Sequence, residues 1–137
     1  LLLASCFLLN DASSVWAQSA TSTSPVSQQL LPFKEGNTVP VASGTAANTT
    51  QNKVFVVFKA SWTHNYTTHW AKVGQAISLD NGAWQLAGSS SWPSYNSAYN
   101  SCHWALLVYN YDPNWTHGNI DDYTGSLLLS ITGNLSN

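Results

Sequence analysis

The residues best equipped for chemistry lie close together near the C-terminal end of the chain. Asp112, Thr116, Asn119, Asp121 and Asp122 fall within eleven residues and include three of the six acidic residues present. Carboxylate, amide and hydroxyl oxygens gathered by one turn suit Ca²⁺, which takes roughly six to eight oxygen ligands. The same loop carries Trp115 and His117, and the polar stretch before it carries Trp92 and Tyr95. Aromatic rings with polar edges stack on the apolar faces of sugars, while nearby amides and hydroxyls bond the sugar hydroxyls. A plainer alternative is a solvated loop whose Asp and Asn only shape turns.

Other chemistries find less support. His64, His69, His103 and His117 lack the spacing of a structural zinc site and read as surface residues. A carboxylate pair for glycoside hydrolysis needs two acids flanking one cleft. From Lys53 onward only Asp80, Asp112, Asp121 and Asp122 are available, and Asp80 belongs to a turn. No nucleophile elbow or Cys/His signature is present. An enzyme is therefore not the expected class.

The elements that must position these residues read as strands. Val54–Phe58 (VFVVF) is a continuous apolar run, as in a strand buried on both faces. From Trp70 to Leu79 the pattern alternates, with Val73, Gln75, Ile77 and Leu79 on one face. Asp80-Asn81-Gly82 follows, then Ala83–Ala87 with Trp84 and Leu86 on one side, and Asn-Gly between such runs predicts a hairpin. Trp104–Tyr111, apolar on both faces, predicts a central strand. Leu127–Ile131 predicts the last one, with Gly133 ending it. No segment has a helical period. The expected fold is all-β: a small antiparallel β-sandwich or jelly-roll-like domain over 53–137, after a disordered N-terminal stretch.

That stretch divides in two. Leu1–Leu9 is apolar and too short to span a bilayer, and Val15-Trp16-Ala17 offers a small-residue cleavage pattern, so 1–17 reads as a signal peptide, truncated at its start. Leu3-Ala4-Ser5-Cys6 is the competing pattern of a lipoprotein signal, which would tether the protein to a membrane through Cys6. Cleavage leaves Cys102 without an intramolecular partner, and its place before an apolar strand predicts a buried thiol. Residues 18–52, rich in Ser, Thr, Gln and Ala, read as a linker or arm. Within them Leu30-Leu31-Pro32-Phe33 is able to dock on the domain as an edge strand.

Charged residues make up 7% of the chain, with four Lys, no Arg and a net charge of −2. Nucleic-acid affinity rests on many cationic phosphate contacts, so that partner is excluded. Seven Trp and six Tyr favour strands and stacking surfaces.

Over about 24 residues the C-terminal segment resembles the closing loop and strand of calcium-dependent galactose-binding lectins of the LecA type and related carbohydrate-binding jelly rolls. Tyr109-Asn110-Tyr111-Asp112, Thr116, Asn119–Asp122, Gly125-Ser126 and Leu127–Ile131 carry the resemblance, with Asp121-Asp122 where the family has paired Asn. It implies Ca²⁺ held by Asp112, Thr116, Asn119 and Asp121 or Asp122, with a galactose-like sugar on the same ion. The combined expectation is an extracellular or cell-surface carbohydrate-binding module, Ca²⁺-dependent if the resemblance holds. Its stacking and polar contacts would come from Trp115, Trp92, Tyr95 and His117. The alternative is a homo-oligomeric surface or filament subunit, assembled by strand addition through its N-terminal arm.

Overall fold

A computed structural model describes residues 16–33, 41–88, 96–116 and 118–136. Trp92, Tyr95, His117 and Cys6 lie outside these residues, as does most of the expected signal peptide. The fold is an all-β sandwich. In chain order the strands are β1 (Ser19–Ser24), β2 (Leu31–Pro32), β3 (Ala42–Ala47), β4 (Lys53–His64), β5 (Thr67–Ser78), β6 (Ala83–Leu86), β7 (Asn100–Asn110) and β8 (Leu127–Ser136). One sheet has the order β1-β3-β6 and the other β2-β8-β7-β4-β5. All pairings are antiparallel except β2 with β8. Among the described residues no helix is long and apolar enough to cross a membrane.

The core lies between the sheets. β4 contributes Val54, Val56, Phe58, Ala60 and Trp62, and β7 contributes Trp104, Leu106 and Val108. The smaller sheet answers with Ala42, Ala46, Trp84 and Leu86. β7 is the middle strand of its sheet, as its two apolar faces predict.

Residues 18–52 are not a linker in their described parts. β1 and β3 make two of the three strands of the smaller sheet, and β2 edges the larger one, with Phe33 fully buried beyond it. The Leu30–Phe33 cluster thus docks as an edge strand. The physical reason for the misreading is side-chain size. In β3 the inward positions are Ala42, Gly44 and Ala46, all buried. They alternate correctly, but small residues look polar beside Ser and Thr in a composition count. They are small because Trp84 lies against them: a Cβ on Gly44 would meet the Trp84 ring at 2.6 Å and the Thr21 carbonyl at 1.9 Å.

Two further local readings change in the fold. At Asp80–Ala83 the predicted turn forms, with Asn81 and Gly82 at positive φ and reciprocal backbone bonds of 2.8 and 2.9 Å. Pairing goes no further than that single bridge. The turn instead carries the chain from the large sheet to the small one, so β5 pairs with β4 and β6 with β3. Gly133 does not end β8. It sits inside the strand because the Trp104 indole occupies the place of its side chain, 2.4 Å from where a Cβ would be.

Candidate functional site

The outer face of the larger sheet, away from the core, has a covered half and an open half. Over Val54–Phe58 every residue is buried, whereas Lys59, Ser61 and Thr63 alternate with buried neighbours. The change marks the limit of the cover. What covers the first half is the acidic loop itself.

That loop lays its aromatic side on the sheet. Tyr123 stacks on Phe55, with ring centroids 4.1 Å apart and planes within 9°. Trp115 packs against both, at 5.3 Å from Phe55 and 5.1 Å from Tyr123, and Tyr109 meets Tyr123 edge-on. Ile120 reaches the surface of Gly74, where a Cβ would stand 3.0 Å away. Burial pushes the Tyr109 and Tyr123 hydroxyls up from the ordinary phenol range. Trp115 is therefore half-buried in the protein's own aromatic cluster rather than presented to solvent.

The acidic and amide side chains pin this loop in place. Asp112 accepts from the Thr124 hydroxyl and from the Asn114 N–H at 2.9 Å, and its own N–H donates to the Tyr123 hydroxyl at 2.7 Å. Asn119 caps a short 3-10 turn by accepting from the Asp121 N–H at 3.2 Å. Asp121 pairs with Lys72 of β5. Asp122 and Thr116 are exposed. A cation needs oxygens that converge and are free of other donors. As placed, two of the three carboxylates are committed to protein donors. No three of His, Cys, Asp and Glu come together among the described residues.

These bonds have a pH consequence. The Thr124 hydroxyl, helped by the Asn114 N–H, holds Asp112 below the usual carboxylate range, and the Lys72 hydrogen bond does the same for Asp121. A carboxylate with a depressed folded-state pKa adds stability above its unfolded pKa of about 4 and loses it as pH falls through the folded value. The thermal midpoint should therefore be insensitive to these two groups at neutral pH and fall with acid below about pH 4. Asp121→Asn should flatten part of that fall, by a modest amount because the Lys72 pair is at the surface. Identical acid profiles for the two proteins would show that Asp121 does not anchor the loop.

The open half of the face is a cleft of about 460 Å³. One row across the strands builds it: Trp70 on β5 lies opposite Ser61 on β4, Ser61 opposite His103 on β7, and His103 opposite Asn134 on β8. The next row places Lys72 opposite Lys59, Lys59 opposite Ala105 and Ala105 opposite Thr132. Ser61 and Ala105 are small and leave depth, and Trp70, 54% exposed, stands at the β5 side. His103 Nδ1 and Asn134 Oδ1 are 2.9 Å apart, within hydrogen-bond distance, which ties the imidazole to the amide. The Lys59 ammonium sits over the Trp70 ring, 5.4 Å from its centroid. A second cleft of about 480 Å³ lies beside β3 and β6, but its only aromatic residue, Trp84, is buried.

Sequence reasoning missed this cleft because its members lie on four strands and look unremarkable singly. One signal was readable. Trp70 has the parity opposite to Val73 and Ile77, so a large aromatic ring faces outward on a half-buried strand. The other described histidines, His64 and His69, form no comparable site. His64 and His69, 6.4 Å apart, join the Trp62 and Tyr99 rings near the β4–β5 turn. Cys102 is a half-buried free thiol, and burial pushes its pKa up from the ordinary thiol range. Comparison with family models, curated proteins and solved structures finds no match to the chain.

Proposed function

We propose that the protein is a secreted carbohydrate-binding module that takes a saccharide in the open half of the large sheet's outer face. The observation that carries this is the row Trp70–Ser61–His103–Asn134. It sets a half-exposed indole beside a hydroxyl, an imidazole and an amide on a rigid sheet. A sugar ring stacks on such an indole, and its hydroxyls alternate as donors and acceptors toward the polar side chains. Strands hold these groups in fixed register, so little order is lost on binding. A single cleft of this size implies modest affinity, raised when several copies act together.

A glycan array probed with the protein tests this directly. Saccharide binding is the expected result, and absence of binding to every glycan at millimolar concentration would sink the reading. The calcium-dependent form of the idea is separable. A ligand that binds only the folded state raises the thermal midpoint. Because the carboxylates of Asp112 and Asp121 already serve the loop, Ca²⁺ and EDTA are expected to leave both the midpoint and the glycan signal unchanged. A rise with Ca²⁺ that EDTA reverses would instead return Asp112, Thr116, Asn119, Asp121 and Asp122 to the role of ligands.

Assembly through the N-terminal arm is the weaker reading. β1 pairs with β3, and β3 with β6, inside one chain. β3 is thus paired on both sides at home, while β1 keeps one edge open as the edge strand of its sheet.

A further inference from the structure

We infer that the cleft prefers saccharides that carry a carboxylate, such as hexuronic acids; this rests on the carbohydrate-binding reading above and adds the charge class of the ligand. The chain as a whole is acidic, with a net charge of −2 and only four Lys. Yet among the described residues no Asp or Glu lines the cleft, and its ionisable groups are Lys59 and His103. Two of the lysines, Lys59 and Lys72, stand directly opposite each other across β4 and β5 on this same face. Like charges at such a pair repel, so the arrangement calls for counter-charge. Asp121 supplies it by direct contact for Lys72 and only through space for Lys59. Among the described residues no carboxylate pairs with Lys59, whose ammonium rests on the Trp70 ring instead.

A cation–π contact at an exposed site is weak. A carboxylate arriving on a sugar ring would draw the ammonium off the indole, form a charge-assisted bond with it, and leave the ring surface for stacking. The His103–Asn134 pair and Ser61 then serve the neutral hydroxyls. The site thus holds one ammonium without a direct ion pair among the described residues, beside one stacking surface, which matches a sugar with one acidic substituent.

Isothermal titration with oligogalacturonate, alginate and hyaluronan oligomers, each beside its carboxyl-reduced neutral form, tests the inference. At low salt at least one acidic probe should bind tenfold or more tighter than its reduced counterpart, and salt should erode that ratio. Lys59→Gln should bring the ratio close to one. Lys53→Gln, at a residue that sits over Tyr111 outside the cleft, should preserve it. Equal or tighter binding of the reduced forms, or a ratio that survives Lys59→Gln in a protein with unchanged circular dichroism, would overturn the preference while leaving the carbohydrate reading standing. Failure of every acidic and neutral saccharide to bind would overturn both.

Discussion

Trp70→Ala should abolish measurable saccharide binding and leave the protein folded. The ring is half-exposed at the edge of the sheet and is absent from the core, so its removal opens no cavity. Surface substitutions of this kind change stability by roughly 0.5 kcal/mol. The cation–π contact it forfeits, under the Lys59 ammonium, is worth about 0.5–1 kcal/mol. Binding should suffer more. Buried aromatic anchors in binding sites cost about 2 kcal/mol or more on truncation, which is roughly a 30-fold loss of affinity. In a site of modest affinity that loss takes binding below detection. Titration of the strongest array ligand, run beside circular dichroism and thermal melting, checks both halves. Undiminished affinity in a folded Trp70→Ala protein would move the site off this face.

Gly44→Ala should be severely damaging for a single added methyl. Its Cβ would fall 1.9 Å from the Thr21 carbonyl oxygen and 2.6 Å from the Trp84 ring. The first neighbour is backbone and cannot swing aside. The second is 2% exposed, with its indole N–H bonded to the Thr45 carbonyl at 3.2 Å. Relief requires β1 to part from β3 or Trp84 to leave the core. Overpacking of this kind costs about 1–3 kcal/mol and sometimes more. A loss of about 3 kcal/mol lowers the thermal midpoint of a domain this size by on the order of 10 °C. Gly118→Ala is the control, since a Cβ there meets only the Thr116 carbonyl at an ordinary 3.6 Å. Thermal melts of the two variants should separate widely. Equal midpoints would mean that β1, β3 and β6 do not pack as described.

The same glycine shows why part of the fold was hidden in the sequence. The continuous run at Val54–Phe58, the outward and inward parities of β5, the Asn81-Gly82 turn and the central position of β7 were all legible, because each follows from local periodicity or local backbone preference. β1 and β3 were not. Their inward residues are small, and small residues carry little hydrophobic signal until the large ring that fills the space above them is known. Gly133 misleads in the same way, since its reason for being glycine is Trp104, a residue on the neighbouring strand.

The candidate site divides along the same line. That the stretch around Asp112–Asp122 is polar, turn-rich and bordered by strands is written in the sequence. Which way it faces is not. Its Trp115, Ile120 and Tyr123 bury against Phe55 and Gly74, residues more than forty positions away, and that packing commits Asp112 and Asp121 to anchoring the loop. The sequence by itself determined the all-β class, the strands that carry large apolar residues and the scarcity of charge, because these depend on residue type and near-neighbour spacing. Only the tertiary structure decided which half of the outer sheet face is covered and that Trp70, Ser61, His103 and Asn134 share one row. Cross-strand register is set by the packing of the whole sheet, and no single strand contains it.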